Sequence, residues 1–397
     1  MIRCIIGAGY GDEGKGLAAD YFSLQSKNTL VVRHNGGAQS GHTVEFPDKR
    51  FIFHELSSGS FRGADTYWAD TFLPDIYKLG EEVDSFLALN NSTPKIIASS
   101  CCPAFIDDVL VNMLVETSRG NNRHGSCGMG INEAQTRKDA GYGIPLDLLS
   151  KMSENEIYEK LSCIRSEYTY RRIEELGLNN YPDNDYAQML RENIVLERYA
   201  EEVHKNLRLI EINNAPSNLF SEYDQIIFEN GQGLRLDSEF KANWPHVTAS
   251  RTGLTNVIWI LRSCQMELDE VVYVTRPYLT KHGAGPLKNE CLNFQSEKNI
   301  YDQTNKTNEW QGSLRYAVWE DEAEFIEVIK SDLENCTSQV KTSLFVTHLN
   351  ETDGKMNFRN ENIDVLEFAK KQTLFDKVYL SSSRYSRDVQ TVTLSGS

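Results

Sequence analysis

The sequence lacks several features that mark common protein classes. It has no apolar run approaching the roughly 20 residues that span a bilayer, and no basic-then-apolar start typical of a secretory signal. None of its eight cysteines is spaced as C-x-x-C, the pattern of zinc and redox motifs, although a functional Cys127 stays open. A formal net charge of −16 opposes binding to nucleic acid or to an anionic membrane. We therefore expect a cytoplasmic protein that binds neither.

A glycine-rich loop follows the first apolar run, Ile2–Gly7. Residues Gly11–Gly16 read Gly-Asp-Glu-Gly-Lys-Gly and, counted from Gly9, fit most of the phosphate-loop pattern, whose backbone N–H groups and lysine cradle phosphates. The Ser or Thr that normally follows the lysine and holds Mg²⁺ is missing, because Gly16 stands there. Any Mg²⁺ must be held elsewhere, and Asp12 is the nearest suitable oxygen donor. The alternative is a plain turn with a solvated Asp-Glu pair.

Short strand-like runs alternate with helical patterns, which favours an α/β fold with a largely parallel central sheet flanked by helices. The predicted strands are Ile2–Gly7, Thr29–Arg33, Lys95–Ser99, Tyr223–Glu229, Glu270–Thr275, Thr342–Thr347 and Lys377–Ser381. The predicted helices, with apolar residues three and four apart, are Lys15–Leu24, Glu154–Leu176, Tyr186–Leu207, Gly253–Cys264, Glu320–Asn335 and Ile363–Gln372. We expect one domain over 1–397, with a helical insertion at 150–210 and a loop at Asn179–Asp185.

A second glycine cluster, Arg33–Thr43, also follows a predicted strand and ends in Gly-His-Thr. Loops at the carboxyl ends of neighbouring parallel strands face one crevice, so His42 and Asp12 could share a site. A carboxylate and an imidazole in a phosphate-lined crevice suit general base and general acid chemistry. A loop histidine that only forms hydrogen bonds is the alternative.

Further motifs follow in order along the chain, namely Phe228–Gly233, Pro245–Thr248, Gly283–Pro286 and Ser381–Ser383. With Gly11–Gly16 and Asn35–Thr43, they resemble the adenylosuccinate synthetase family, whose loops read Gly-Asp-Glu-Gly-Lys-Gly and, with variations, Gly-Gly-x-x-x-Gly-His-Thr. The resemblance runs from end to end, and several motifs in the right order are more specific than one glycine loop.

The resemblance implies a two-step carbon–nitrogen ligase that works as a homodimer. In the family, an Asp takes the N1 proton of a 6-oxopurine nucleotide while a His assists at O6, which attacks the γ-phosphate of a nucleoside triphosphate. The amino group of L-aspartate then displaces the phosphate. Carried over, Asp12 is the base, His42 the acid and Lys15 the phosphate-stabilising cation, while Asp12 and the Gly41 carbonyl hold Mg²⁺. Such chemistry depends on charge stabilisation more than on covalent help.

The resemblance also assigns three sets of binding residues. The triphosphate set is Gly11, Glu13, Gly14, Lys15, Gly16, Leu17, Gly41, His42, Thr43, His348, Asn350, Ser381, Ser382 and Ser383. The acceptor set is Asp12, Asn35, Gln39, Ser126, Cys127, Gln232 and Thr248, of which Ser126 and Thr248 could equally be turn or strand-end hydroxyls. The aspartate set is Thr304, Asn305, Thr307, Asn308, Gln311 and Arg315.

The segment that reads the donor base departs from the family. The family has Thr-Lys-x-Asp, whose carboxylate accepts from guanine N1–H and the 2-amino group, whereas Thr347–Asn350 reads Thr-His-Leu-Asn. An amide offers one acceptor oxygen beside an NH₂ donor, so Asn350 cannot make both contacts but can pair with the edge of adenine. ATP or dATP is therefore the predicted donor. The alternative is that His348 and Asn350 only complete a buried strand.

The aspartate-binding loop departs as well. The family carries an arginine-rich Thr-Thr-Gly-Arg-Arg stretch, and this chain has Thr304–Arg315 in its place. The two carboxylates of L-aspartate call for a guanidinium fork, for which Arg315 is the candidate. The alternative is that Arg315 pairs with the acidic helix that follows.

A third departure concerns the acceptor. The arginine that the family sends across a dimer interface to the acceptor phosphate falls near Gly141–Tyr142, so that contact is either lost or supplied by another residue, for which Arg123 and Arg137 are the candidates. This loss, the missing guanine reader and the segments Gly-Gly-Ala-Gln-Ser-Gly-His-Thr and Trp-Gln-Gly-Ser-Leu-Arg resemble the phage-type branch, which makes 2-amino-2′-deoxyadenylosuccinate from dGMP. Some members of that branch replace the loop aspartate; Asp12 is kept here, and a carboxylate is compatible with guanine.

We accordingly expect dGMP as the acceptor. Two alternatives remain open at this point. One is an ordinary adenylosuccinate synthetase that acts on IMP, and the other is a nucleotide-binding sensor that has lost turnover.

Overall fold

The computed structural model describes residues 1–120, 123, 125–178, 184–298, 300, 305, 310, 312–336 and 338–394, and a ten-stranded sheet runs through that part of the chain. The strands are β1 (Ile2–Gly7), β2 (Thr29–Arg33), β3 (His42–Glu45), β4 (Arg50–Phe53), β5 (Asp65–Trp68), β6 (Ile96–Ala98), β7 (Ile210–Ile212), β8 (Gln225–Gly233), β9 (Glu270–Thr275), β10 (Leu279–Lys281), β11 (Arg315–Ala317), β12 (Lys341–Val346), β13 (Lys355–Asn357), β14 (Asn362–Asp364), β15 (Lys377–Leu380) and β16 (Gln390–Thr393).

Helices pack on both faces of this sheet. They are α1 (Lys15–Ser23), α2 (Ile76–Asn90), α3 (Ile106–Ser118), α4 (Ile131–Arg137), α5 (Leu146–Leu149), α6 (Glu154–Ile164), α7 (Tyr170–Glu175), α8 (Asp185–Arg191), α9 (Asn193–Asn206), α10 (Pro216–Ser221), α11 (Leu254–Ser263), α12 (Phe294–Glu297), α13 (Glu322–Leu333) and α14 (Val365–Gln372). In the described residues, no helix is both long and apolar enough to cross a membrane.

The sheet order is β16-β15-β12-β9-β1-β8-β2-β5-β6-β7, and its neighbours are parallel except for the antiparallel edge pair β15 and β16. β2, β8 and β9 are buried along their whole length, as expected for parallel strands covered on both faces. Ile6 of β1 packs in a core with α11, α13 and α14, whereas the adjacent Ile5 packs with α1 on the opposite face. The α/β fold with a largely parallel sheet is therefore confirmed.

The parallel arrangement brings the predicted loops to one edge. The segments that follow β1, β2, β9, β12 and β15 all leave the sheet at its carboxyl edge, where α/β proteins bind ligands. Two antiparallel strand pairs lie among these loops. β3 and β4 form a hairpin, whereas β10 and β11 pair across a long connection that contains α12.

Several predicted elements differ from the observed ones. The helix predicted at Glu154–Leu176 is α6 and α7 joined by a π-helical turn, and the one at Tyr186–Leu207 is α8 and α9. Most of the predicted loop Asn179–Asp185 lies outside the described residues, but Asp185 begins α8, because the Asn184 side chain accepts from the Ala187 N–H at 2.9 Å. Helices occupy the segment of the expected insertion; the single domain stays a prediction.

Candidate active site

The phosphate loop connects β1 to α1 through residues with positive φ. Gly11 has a φ of 102° and Asp12 a φ of 63°, so the chain reverses tightly just before the helix. Gly14 caps α1 with a φ of 95°. The first N–H groups of a helix have no partner within it, and they attract anions. This loop therefore has the geometry of a phosphate site.

The Glu13 carboxylate lies inside the loop instead of facing a ligand. It is almost fully buried and accepts from the N–H groups of Gly9 at 3.1 Å and Gly11 at 2.8 Å, and from Lys15 Nζ at 2.7 Å. Burial opposes its ionisation, but the Lys15 ammonium and these N–H groups hold the pKa of Glu13 below its ordinary value. A Cβ atom at Gly7 would overlap this carboxylate. The side chain expected to bind triphosphate thus supports the loop from within.

Packing explains the glycine where a Ser or Thr is usual. A Cβ atom at Gly16 would lie 3.0 Å from the His42 Cβ and 3.0 Å from the Thr43 carbonyl oxygen. α1 therefore packs directly on β3. The absence of a hydroxyl at this position brings His42 next to the phosphate loop.

His42 is held by a buried carboxylate that the sequence analysis did not assign. Its Nδ1 lies 2.7 Å from Glu229 Oε1, and Glu229 also accepts from the Ser58 hydroxyl and, at 3.2 Å, from the Ser58 N–H. Burial alone would raise the pKa of Glu229, yet His42, Arg33 and Ser58 together lower it to about 2. The ionised carboxylate fixes the proton on Nδ1, so Nε2 is the reactive nitrogen. That Nε2 is buried and has no hydrogen-bond partner among the described residues.

Asp12 lies next to the antiparallel pair of β10 and β11. Its Oδ2 is 3.4 Å from His282 Nε2, and its carbonyl oxygen accepts from Arg276 Nε at 2.6 Å. The Thr280 hydroxyl donates to the Gly11 carbonyl at 3.0 Å. Arg276 and the β10–β11 pair thus fix the backbone of the phosphate loop and leave the Asp12 carboxylate partly exposed to the cavity.

Two glutamines form the expected acceptor side. Gln39 Oε1 and Gln232 Nε2 are buried and lack hydrogen-bond partners in the described part of the chain. Asn35 does not line the cavity; its amide donates to Gln232 Oε1 at 3.2 Å and its oxygen accepts from the Gly231 N–H at 2.9 Å. Asn35 therefore orients Gln232 from behind. Orphaned amide atoms of this kind are costly unless a ligand pairs with them.

The expected donor side forms where the loops after β12 and β15 meet. The Thr347 hydroxyl donates to the Glu13 carbonyl at 2.7 Å, and the Leu349 N–H donates to the Ser381 carbonyl at 3.1 Å. These bonds bring Asn350 and Ser382 to the same end of the cavity. Asn350 does not complete a strand, because β12 ends at Val346.

One cavity of about 1380 Å³ joins these parts. Of the predicted residues, those along its lining are Gly11, Asp12, Glu13, Gly14, Lys15, Gly16, Leu17, Gln39, Gly41, His42, Thr43, Ser126, Cys127, Gln232, Thr248, Asn305, His348, Asn350, Ser382 and Ser383. Ser381 is buried beside it and donates its hydroxyl to the Ser383 carbonyl at 2.8 Å. The two glycine clusters thus share a single site, as the parallel sheet predicts.

The family model for adenylosuccinate synthetase matches residues 4–329. The chain belongs to the adenylosuccinate synthetase family. It is 28% identical to the adenylosuccinate synthetase of Thermoplasma volcanium, over 88% of this chain and 79% of that protein. It is 26% identical to that of Azobacteroides pseudotrichonymphae, over 86% and 81%. Family membership makes it a carbon–nitrogen ligase.

Solved structures share the synthetase fold. A fully ligated adenylosuccinate synthetase from Plasmodium falciparum superposes with a TM-score of 0.64 at 22% identity, covering 88% of this chain and 77% of that one. The succinoaminodeoxyadenylate synthetase of cyanophage S-2L, bound to dGMP and dATP, gives 0.61 at 12% identity, covering 98% and 94%. At such identities the likeness concerns the fold.

The synthetase site fits Mg²⁺ that is held largely by its substrates. Within the described residues, no group of three or more His, Cys, Asp or Glu side chains could hold a metal ion. The Asp12 carboxylate and the Gly41 carbonyl are oxygen donors of the kind Mg²⁺ prefers, and both lie at the cavity. These two groups would hold the ion, together with phosphate oxygens of a bound nucleotide.

The expected aspartate set is only partly described. Thr304, Thr307, Asn308 and Gln311 lie outside the described residues. Arg315 is not part of the cavity lining: its guanidinium binds Glu290 at 2.5 and 2.8 Å and donates to the carbonyls of Gly283 and Gly285. Arg315 therefore fixes the loop after β10, and its role as the aspartate fork stays a prediction without a free fork to support it.

Neither candidate for the family's phosphate-binding arginine, Arg123 or Arg137, lies in the cavity lining. Arg137 is buried and donates to Asp108, to the Tyr142 carbonyl and to the Pro103 carbonyl. Its donors are consumed by the fold, so it cannot bind the acceptor phosphate. Arg123 lies 4.4 Å from the centre of the Trp310 ring and outside the cavity lining.

Three residues of the site were given no role from the sequence. Glu229 lies within the motif Phe228–Gly233, and its place in that motif was the signal that could have identified it. His282 and Lys281 directly precede another quoted motif, Gly283–Pro286. Their proximity to Asp12 depends on the β10–β11 pair packing on the phosphate loop, which no spacing in the sequence encodes.

Proposed function

We propose that this ligase joins L-aspartate to C6 of dGMP through a 6-phosphoryl intermediate, with ATP or dATP as donor, and forms 2-amino-2′-deoxyadenylosuccinate. The supporting observation is one cavity that holds the Asp12 carboxylate and the unpartnered His42 Nε2 beside the phosphate loop. A protein that only binds nucleotides needs no acid–base pair. We therefore do not propose a silent sensor.

In the first step, Asp12 accepts the N1 proton of the purine while His42, protonated and ion-paired with Glu229 through Nδ1, donates a hydrogen bond from Nε2 to O6. O6 attacks the γ-phosphorus, the O6–P bond forms, and the bond to the β-phosphate oxygen breaks. Lys15 and the N–H groups at the start of α1 stabilise the charge on the transferred phosphoryl. Mg²⁺, when bound, neutralises charge on the β- and γ-phosphates.

In the second step, the amino group of L-aspartate attacks C6. The C6–O6 bond breaks, inorganic phosphate leaves with O6, and the departing phosphate takes up the proton that the nitrogen loses. Removing O6 as phosphate avoids the expulsion of hydroxide, a much poorer leaving group. Glu229 keeps Nε2 of His42 aimed at O6 in both steps.

The choice of donor rests on Asn350. Asn350 contributes to the cavity lining, and the N–H of the preceding Leu349 donates to the Ser381 carbonyl at 3.1 Å. An amide there suits the amino and ring-nitrogen edge of adenine and leaves one of two guanine N–H donors unpaired. Asn350 is exposed in the free protein, so the penalty of about 1–3 kcal/mol for an unpaired donor applies once the bound base covers it.

The choice of acceptor has a second candidate. The curated relatives at 26–28% identity are ordinary adenylosuccinate synthetases, which favours IMP. The departures at the donor-base and acceptor-phosphate segments favour dGMP instead. The guanine 2-amino group distinguishes the two bases, and a carboxylate at Asp12 is able to accept from it.

A matrix of substrates tests the proposal. IMP, GMP and dGMP are each combined with ATP, dATP and GTP in the presence of L-aspartate, and product formation is followed by absorbance. The fastest pair is expected to be dGMP with ATP or dATP. Preference for IMP with GTP would contradict the proposed specificity and leave an ordinary synthetase. No aspartate consumption with any pair would contradict the ligase activity itself.

We further propose a cytoplasmic homodimer, as the family implies. Sedimentation equilibrium is expected to give twice the mass of the chain. A monomer at assay concentration that still turns over would contradict the dimer.

A further inference from the structure

Lys281 ends β10 on the cavity wall beside Asp12. The residue before it, Thr280, donates to the Gly11 carbonyl at 3.0 Å, and the residue after it, His282, places Nε2 at 3.4 Å from Asp12 Oδ2. Lys281 is only 2% exposed, yet it contributes to the cavity lining. Its ammonium is thus enclosed within the same wall that positions Asp12.

The Lys281 ammonium has neutral partners. It donates to the carbonyl oxygen of Ala284 and, at 3.4 Å, to that of His282, and it lies 5.9 Å from the centre of the Tyr10 ring. No carboxylate of the described residues forms an ion pair with it. Burial and the nearby Arg315 guanidinium lower the pKa of Lys281 to about 8. A buried ammonium of this kind is stabilised by an anion.

The other lysines and arginines along the cavity have partners in the described residues: Arg276 donates to the Asp12 carbonyl at 2.6 Å, and Arg384 pairs with Glu45 at 3.4 Å. Lys15, Arg119 and Arg172 are each ion-paired with a glutamate, at 2.7, 3.2 and 2.8 Å. Glu290, the acidic residue that faces Lys281, accepts hydrogen bonds from Nε and Nη2 of Arg315, at 2.8 and 2.5 Å. Lys281 is therefore the lysine beside Asp12 whose charge is left for a ligand.

We propose, on the basis of the function proposed above, that Lys281 binds a carboxylate of L-aspartate and so directs the amino group toward C6 of the acceptor. The attacking nitrogen must reach a purine whose N1 lies against Asp12, so L-aspartate has to lie along this wall. A lysine there acts as a point charge for a carboxylate. It takes the place expected for the fork of Arg315, which holds the loop instead.

Lys281→Met tests this proposal, because methionine keeps most of the length and removes the charge. The KM for L-aspartate is expected to rise roughly 10- to 100-fold, as for loss of a charge-assisted hydrogen bond, while the KM values of both nucleotides stay within about twofold. Lys281→Arg is expected to recover part of the affinity for aspartate. Lys288→Met, which removes an exposed lysine paired with Glu320 at 3.3 Å, is the matched control.

A reaction that needs no aspartate separates binding from loop structure. Reversible transfer of the γ-phosphoryl to O6 scrambles the oxygen that bridges the β- and γ-phosphates, and isotopic labelling measures this scrambling. Lys281→Met is expected to retain it at the wild-type rate. Loss of scrambling together with a rise in both nucleotide KM values would overturn the proposal and assign Lys281 to loop structure. An unchanged KM for L-aspartate would overturn it as well.

Chemical protection provides a test on the unaltered protein. Reductive methylation of the wild type, read out by mass spectrometry, is expected to modify Lys281 more slowly when L-aspartate and the nucleotides are present than with the nucleotides alone. Equal modification with and without L-aspartate would overturn the proposal. Failure of the proposed function is distinct, because the wild type would then neither scramble the label nor consume aspartate.

Discussion

His42 acts through a contact that its neighbours in sequence do not reveal. Glu229, on β8 of the ten-stranded sheet, accepts from Nδ1 at 2.7 Å and is itself held by Ser58 and Arg33. Burial lowers the pKa of His42 in the free protein, and the Glu229 charge only partly offsets this. The carboxylate therefore sets both the orientation of the ring and the readiness of Nε2 to hold a proton.

Glu229→Gln is expected to reduce kcat by about 10²-fold, because it keeps the shape and removes the charge that stabilises a protonated His42. The pKa of His42 falls further, so the alkaline limb of the kcat profile moves to lower pH. Steady-state rates across pH measure both effects. Ser58→Ala, which removes one hydrogen bond and keeps the charge, should stay within about fivefold of the wild type. Equal losses in the two variants would contradict the role of the charge.

Asn350→Asp is expected to exchange the donor preference. A carboxylate accepts from both guanine N–H groups and has no N–H for adenine, so kcat/KM should rise for GTP and fall for ATP, each by about tenfold or more. Competition between the two triphosphates measures the change. Asn362→Asp, on β14 and outside the cavity, is the control. An unchanged ATP to GTP ratio would show that Asn350 does not contact the base.

Gly16→Ser restores the residue usual in phosphate loops and is nevertheless expected to lower kcat. Its Cβ would lie 3.0 Å from the His42 Cβ, so the strand that carries the imidazole must move. A displacement near 1 Å at a catalytic group costs about 10²-fold in rate. Gly63→Ser meets nothing within 4 Å but strains a backbone with a φ of 80°, so it controls for loss of stability without a clash at His42 and should leave kcat near the wild-type value. A gain in kcat at Gly16→Ser would contradict the packing explanation.

At the scale of elements, two buried glutamates meet where the connection after β4 packs against α2. They are Glu55 in the connection and Glu82 on α2. Glu82 of α2 accepts from the N–H groups of His54 at 3.0 Å, Glu55 at 2.8 Å and Leu56 at 3.1 Å. Glu55 accepts from the Asp75 N–H at 3.0 Å through one oxygen, and its other oxygen has no partner in the described chain. Burial raises the pKa of Glu82 to about 7, and burial with the Glu82 charge raises the pKa of Glu55 well above its ordinary value.

This pair makes the free energy of unfolding depend on pH. A carboxyl whose pKa is raised on folding stabilises the protein below its unfolded pKa, and that stability is lost as pH rises through the folded value. For Glu82 the loss falls between the ordinary glutamate pKa of 4.5 and its folded pKa of about 7. Urea unfolding at about pH 5 and about pH 7.5 should therefore show a decrease in stability across this range.

The two glutamines have opposite expected effects. Glu55→Gln keeps the oxygen that pairs with Asp75 and removes a carboxyl that on folding must either take up a proton or be buried with its charge, so it should stabilise the protein by about 1 kcal/mol near neutral pH. Glu82→Gln places an NH₂ group against a backbone N–H and should destabilise it by about 1–3 kcal/mol. Urea unfolding of both variants measures the difference. Destabilisation by Glu55→Gln would contradict a buried repulsion between the carboxyls.

The same scale shows which elements a sequence can predict. The strands at Ile2–Gly7, Thr29–Arg33 and Glu270–Thr275 are confirmed residue for residue, because burial on both faces produces a continuous apolar run. β7, a three-residue edge strand, has too few residues for a pattern. The break between α8 and α9 occurs at the extended residue Glu192, whose carbonyl accepts from Arg165 at 3.5 Å. A tertiary contact of that kind leaves no periodicity to read.

The candidate site divides in the same way. Its glycine loops were predictable, because close approach and positive φ at Gly11 and Gly14 demand residues without side chains. The inward direction of Glu13, the engagement of Arg315 and the exposure of Lys281 to the cavity were not. Each depends on which strand or hairpin packs against the loop, and motif spacing carries no record of that packing.

At the scale of the whole molecule, strands that are neighbours in the sheet are often far apart in the sequence. β1 lies between β8 and β9, so Ile2 pairs with Ile226 and its N–H donates to Asp269 at 2.7 Å. Contacts of such long range make a chain fold slowly and late. The parallel sheet was predictable from alternating elements, but the position of each strand in it was not.

The ribosome therefore makes the phosphate loop first and supplies its supports last. Gly11–Gly16 leaves the exit tunnel long before β8 and β9 exist to flank β1, and the hydroxyl that holds the Glu13 carbonyl belongs to Thr347. Until that residue has been synthesised, the nascent chain carries the entire glycine motif without a framed pocket. We therefore expect nucleotide binding only once Thr347 has been synthesised. A chain interrupted before Thr347 would contain the glycine motif but would lack the hydroxyl that supports it.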